Sequence, residues 1–215
     1  MAEADAFGSL GLNRRDALWK IKGLGDTQLA LFTAADERDE QFRPEAVEPE
    51  VSLTPMKAGR EVVEDYLSKG LTLRRHPVAF LREELARRRI IPCAALKSIR
   101  HGQRITVAGL VLVRQKPGSA KGVMFMTIED ETDVANLVIW TSLYEKHRRL
   151  ILSSGMIGCR GRLQREGDVT HLVAEYLIDL SDLLRSVASR DDALYLPQGQ
   201  GSKEPIIKVA TRDFR

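Results

Sequence analysis

Two stretches of this chain carry side chains in an order suited to holding a polyanion. In Val123–Asp130, period-two alternation sets Met124, Met126 and Ile128 on one side of an extended strand and Phe125, Thr127 and Glu129 on the other. The methionines and isoleucine suit an interior, which turns Phe125 outward. A bare outward ring suits base stacking, worth about 1–3 kcal/mol per base. In Val134–Trp140 the same alternation places Asn136 outward with Val134 and Val138, against Ala135, Leu137 and Ile139. An amide there can donate to and accept from a base edge. Cations for phosphates flank these strands: Arg114, Lys116 and Lys121 around one loop, Arg160, Arg162 and Arg165 near another. The expected nucleic-acid-binding set is therefore Phe125, Asn136, Thr127 and these six cations. A register shifted by one residue would instead bury Phe125, and the loop lysines alone would be solvated charge.

Other chemistries find little support. His76, His101, His147 and His171 are isolated, and no CxxC or HxxxH spacing exists for a metal. The densest acids, Glu129, Asp130, Glu131 and Asp133, read as a turn between strands and not as paired carboxylates for two-metal phosphoryl transfer. Neither a phosphate-binding glycine loop nor a nucleophile elbow is present. No catalytic residue and no metal ligand are expected in this chain.

The elements that must position the set follow from pattern. Strands are predicted at Arg104–Gln115, Val123–Asp130, Val134–Trp140, Met156–Gln164 and Val169–Leu180, with a helix over Thr141–Leu152 capped by Thr141 or Ser142. Three strands, a helix and two strands is the order of a five-stranded OB-fold Greek-key barrel. Gly109 marks a bend in the first strand, and Arg165–Asp168 a hairpin turn. Upstream, Asn13 caps a helix through Lys22 with Ala17, Leu18, Ile21 and Leu24 as its apolar stripe and Trp19 in the core. Further helices are expected at Ala58–Leu67 and from Pro77, with Val78, Phe80, Leu81 and Leu85 inward and Arg82, Arg87, Arg88 and Arg89 outward. A short helix covers Asp182–Ser189, and the chain end could add one strand. The fold class is mainly β with α, the barrel being preceded by a small helical segment. The domains are the end of a helical hairpin region (1–32), an acidic linker (33–57), a helical connector (58–102), the barrel (103–181), and a C-terminal helix and tail (182–215).

Charge is segregated along the 215 residues although the net is only +3. Thr33–Glu50 carries seven acids against two arginines, whereas Arg74–Arg104 carries nine Lys/Arg against Glu83 and Glu84. Clustered positive charge is the electrostatic footprint of a nucleic-acid binder. Cys93 and Cys159 read as reduced, half-buried thiols of a cytoplasmic protein, a single disulfide between them being the alternative. No apolar run is long enough for a membrane span, and no secretory signal opens the chain.

The string GLVLVRQKPGSAKGVMFMTIEDETDVANLVIW resembles the OB region of the C-family bacterial polymerase III alpha subunits, and most of all their error-prone branch. FGSLGLNRRDALWKIKGL resembles the end of that family's helix-hairpin-helix region, and GLTLRRHPVAFLREEL its connector. GMIGCRGRLQREGDVTHLVA, DLSDLLRSV and TRDFR are also similar. The resemblance implies a C-terminal portion of a DNA-directed DNA polymerase of translesion synthesis and damage-induced mutagenesis. It implies that the Mg²⁺-binding palm aspartates lie in a segment absent from this sequence, so this portion alone would be non-catalytic and hold no cofactor. The implied partner is single-stranded DNA. In an alternative reading the barrel and the basic helix bind polymerase accessory or clamp proteins, and the tail after Ser181 with Phe214 matters more than the loops; in another the chain is a truncated, non-functional remnant. A looser similarity links FMTIED to anticodon-binding OB domains of class II tRNA synthetases. There Phe125, five residues before Asp130, would stack a base, and Asn136 would stand in a glutamine position. Asp133 replaces the glycine usual in the intervening turn.

Overall fold

The computed structural model describes residues 1–23, 53–120, 122–167, 169–190, 207 and 211–214. It divides into two compact units, Met1–Met56 and Lys57–Arg215. The expected linker, apart from its last residues, Leu24, Lys121 and most of the tail lie outside the described residues.

In the first unit, helix α1 (Arg14–Gly23) begins where the Asn13 side chain accepts from the Asp16 amide at 2.9 Å. This is the expected N-cap. Ala17 is buried, but Trp19 is 51% exposed. Two residues on from Ala17, a side chain sits about 200° round the helix and so on its far side. The expectation that Trp19 is a core residue is corrected.

The second unit is built on a closed barrel. Strands β1 (Arg104–Gln115), β2 (Met124–Glu129), β3 (Val134–Ile139), β4 (Met156–Glu166) and β5 (Val169–Asp179) pair in the cyclic order β1–β2–β3–β5–β4–β1. Closure is made by the parallel β3–β5 pair, with Asn136 opposite His171 and Val138 opposite Val173. β1 pairs with β4 as far as Leu110 and with β2 from Leu110 on, so it must bend at Gly109. A Cβ at Gly109 would lie 2.4 Å from the Glu129 carbonyl oxygen, a contact only glycine avoids. Gly161 plays the same part at the β4–β5 bulge, where a Cβ would meet the Val173 carbonyl at 2.2 Å. β6 (Arg212–Phe214) runs parallel to β1 beside Val113–Gln115.

Two cores explain why the apolar residues of β1 first alternate and then run together. Val107 and Val111 face the barrel interior with Met126, Ile128, Leu137 and Leu163. Ala108 and Leu110 point outward into a second core with Val63, Val78, Leu81, Leu85, Leu184 and Val187. A strand buried on both faces loses its alternation. The outward core comes from helix α2 (Ala58–Lys69), the 3₁₀ turn Pro77–Leu81, helix α3 (Arg82–Arg87) and the segment after β5, Ser181–Ser189. At Gly59 a Cβ would fall 1.9 Å from the Val187 carbonyl, so the segments before and after the barrel touch backbone to side-chain-free backbone.

Three further expectations change. The helix after β3 is two short helices, α4 (Thr141–Lys146) and α5 (Arg148–Ser153), broken at His147. Its N-cap is Trp140, without a side-chain cap from Thr141 or Ser142. Tyr144 and Ile151, one from each half, both enter the barrel core. Arg82 does not face solvent with its neighbours: its guanidinium donates to Asp130 at 2.8 Å and to Glu131 at 2.8 Å. Phe80 packs only partly buried against the outer core, with the Arg75 guanidinium 5.3 Å from its ring.

Candidate nucleic-acid interface

The β2–β3 turn is held rigid, which fixes the two strands that carry the expected aromatic and amide. Asp130 accepts from the Cys93 amide at 2.7 Å, from the Thr132 amide at 2.8 Å and hydroxyl at 2.6 Å, and from the Asp133 amide at 3.0 Å. Burial alone would push its carboxyl up; these donors win and hold it below the ordinary carboxylate value. With Arg82 against it as well, Asp130 is committed to structure. In the cluster Glu129–Asp133 the carboxylates of Asp130 and Glu131 are engaged by Arg82, and among the described residues no group of three or more His, Cys, Asp or Glu is placed to hold a metal ion.

On this support the outer face of β2 presents Phe125, half-buried and outside both cores, with Thr127 and Glu129. Asn136 is exposed on β3, directly opposite Thr127. The Thr127 hydroxyl donates to the Asn136 Oδ1 at 3.0 Å, which engages the amide oxygen and leaves its NH₂ for another acceptor. The rows continue round the barrel by register. Phe125 lies opposite Val138, then Val173, then Arg162, then Arg104. The neighbouring row is Thr127, Asn136, His171 and Gln164. With strands about 4.8 Å apart, three steps separate β2 from β4 by roughly 14 Å along the surface.

The expected cations divide. Arg160 and Arg162 are exposed on β4, Arg162 with Glu175 at 3.9 Å. Lys116 is exposed at the end of β1, with its ammonium 4.1 Å over the Tyr144 ring. Arg114 is corrected: it is buried, and donates to the carbonyls of Ile151 and Ser154 at 2.7 Å each. A helix end leaves carbonyls without internal partners, and this arginine satisfies them for α5. Arg165 is corrected likewise, since it donates to the carbonyls of Leu96 at 3.0 Å and Lys97 at 2.8 Å and so closes the 3₁₀ turn Cys93–Lys97. Lys121 lies outside the described residues. The six cations therefore do not form one ring round Phe125.

Sequence reasoning missed His171 and Gln164, which join the polar row only through the β3–β5 and β4–β5 pairings, and the exposed rings of Trp140 and Tyr176. Exposure of Trp140 just past β3 and of Tyr176 beside the β4–β5 bulge has no local sequence signal. Cys93 and Cys159 are free and fully buried instead of half-buried, and burial pushes the Cys159 thiol up to about 12. Among the described residues, no helix is long and apolar enough to cross a membrane.

Comparison with known proteins agrees with this architecture. Residues 105–180 match the tRNA anti-codon family, described as an OB-fold nucleic acid binding domain. Over 204 residues the chain is 58% identical to error-prone DNA polymerase 2 of Agrobacterium fabrum, covering 94% of this chain and 19% of that protein. It is 44% identical over 198 residues to the error-prone DNA polymerase of Caulobacter vibrioides, covering 90% of this chain and 18% of that protein. The chain thus spans about a fifth of the length of these relatives. Asparaginyl-tRNA synthetase from Pyrococcus horikoshii aligns over 41% of this chain and 22% of its own at 18% identity, with a TM-score of 0.35 that bears on nothing further.

Proposed function

We propose, from the premise that this chain belongs with the error-prone DNA polymerases over the span it shares with them, that its OB barrel holds unpaired template DNA for a polymerase active site located elsewhere in the whole protein. In this reading the strand crosses β2 and β3. Phe125 stacks a base, the Asn136 NH₂ reads an edge while Thr127 steadies its oxygen, and Lys116, Lys121, Arg160 and Arg162 meet phosphates. Stacking tolerates every base, so sequence preference is weak. Magnesium-dependent nucleotide transfer, translesion synthesis and contacts with accessory proteins belong to the whole protein.

The observation that carries the reading is the half-buried, outward Phe125 beside the exposed Asn136 on a face that neither core covers. Arg114 and Arg165 drop out of the phosphate set because their guanidiniums serve backbone carbonyls. The test is a titration of the chain with single- and double-stranded DNA in rising salt. Single strands bind tighter, and log K falls with log salt at about −0.7 per phosphate contacted. Equal affinity for duplex, or no salt dependence, contradicts the reading.

A further inference from the structure

Between α3 and the first halves of β1 and β4 lies a cleft of about 400 Å³ lined by Arg88, Arg89, Arg104 and Arg160 with Ile91, Ile105 and Thr106. Four guanidiniums on one cleft repel each other unless anions intervene. The carboxylates at hand are Glu84, paired with Arg88 at 2.9 Å and shared with Arg87, and Glu175, paired with Arg104 at 3.0 Å and shared with Arg162. The side chains of Arg89 and Arg160 have no carboxylate partner among the described residues.

Arg89 is also backbone-strained. The Ile90 amide donates to the Leu85 carbonyl and the Arg89 amide to the Ala86 carbonyl, each at 2.9 Å, which closes α3 in a Schellman turn. That turn puts its penultimate residue in the left-handed region, and Arg89 has φ 58°. Glycine takes this conformation without steric penalty and arginine does not. The affinity of a helix C-terminus for cations accounts for Arg87 and Arg88, which fold back over Glu84. It does not account for an arginine in the glycine position that lines a cleft with two strand arginines. Strain retained at an exposed position points to a function for the side chain.

The cleft adjoins an aromatic plate. Tyr176 on β5 stands opposite Arg160 on β4, and Arg160 opposite Thr106 on β1, so all three share the outer face. The Tyr176 ring is 53% exposed, with His147 edge-on at 6.2 Å. Arg162, two residues along β4 on the same face, joins this patch to the row that begins at Phe125.

We propose that Arg88, Arg89, Arg104, Arg160 and Tyr176 form a second polynucleotide subsite, which takes a backbone phosphate in the arginine cleft and a base on Tyr176 as a single strand leaves the β2–β3 face. The inference rests on the reading of that face and lengthens the bound strand. It is tested with the full chain by fluorescence anisotropy against oligo-dT of about 4 and about 15 nucleotides, the range of OB site sizes. Arg89→Gly and Tyr176→Ala weaken the longer oligomer, by roughly 3- to 10-fold and roughly 5-fold or more, and spare the shorter one. Arg89→Gly also relieves the left-handed strain, so its Tm holds or rises while affinity falls, a combination no structural role produces. Phe125→Ala weakens both lengths. Unchanged binding of the longer oligomer by Arg89→Gly and Tyr176→Ala, with Phe125→Ala still harmful, overturns the second subsite alone. Loss with Arg89→Gly but none with Phe125→Ala overturns the β2–β3 reading and leaves the cleft as the polynucleotide site. Equal loss at both lengths overturns the order of the two subsites along the strand.

Discussion

The arginines built into the frame of the barrel and those on the outer face of β4 look alike in composition and differ in employment. Around the β2–β3 turn and below α5, Arg82 and Arg114 are drawn into the structure, one by Asp130 and Glu131 and the other by the carbonyls of Ile151 and Ser154. On the outer face of β4, Arg160 and Arg162 stand exposed, and Arg162 has only a long contact to Glu175. The first group fixes the platform; the second is available to a polyanion. Positive charge near a binding face therefore says little until the fate of each guanidinium is known. A committed cation fails in folding when removed, and an available one fails in binding.

That contrast is broken or sharpened by substitutions in each group. The largest effect is expected from Asp130→Ala, which leaves Arg82 with Glu131 alone and deprives the amides of Cys93, Thr132 and Asp133 of their acceptor. The Asp130 side chain is fully buried, and loss of one partner of such a pair costs about 3–5 kcal/mol in urea unfolding. Arg114→Ala leaves two carbonyls without their donor and costs about 2–3 kcal/mol of stability, with DNA affinity of the folded fraction kept. A drop in affinity as large as the drop in stability would return Arg114 to the binding set.

Acid sharpens the same point. The folded-state carboxyl of Asp130 lies below its ordinary value of 3.8. Its contribution is fully present above that value and is lost as pH falls through the lowered one. Unfolding titrations should show stability declining in that acid range, and Asp130→Asn should flatten the decline. A smaller effect belongs to Arg162→Ala, which should leave stability unchanged and reduce the salt slope for single strands by about 0.7. An unchanged slope would mean that Glu175, not phosphate, is its partner.

Much of the barrel was legible because its signals are local. Alternation in MFMTIE and VANLVI placed Phe125 and Asn136 outward, and Gly109 stood where β1 has to bend. The lost alternation of β1 stands in the sequence, but the second core that causes it does not, since it is assembled from segments before and after the barrel. Which arginines are spent was not legible, because Arg114 meets carbonyls 37 and 40 residues away and Arg82 carboxylates 48 and 49 away. The break at His147 and the outward Trp19 also escaped, since helical spacing shows a stripe and not the partner that buries it. The polar row of Asn136, His171 and Gln164 exists only after closure has brought β3, β5 and β4 together.

The central claim is that an outward ring on β2 receives an unpaired base. It is met most directly by measuring oligo-dT affinity of Phe125→Ala beside the parent chain, with circular dichroism and thermal unfolding on the same samples. A loss of about 1–3 kcal/mol in binding with the fold intact is the expected result. Equal affinity in an intact barrel would contradict the claim.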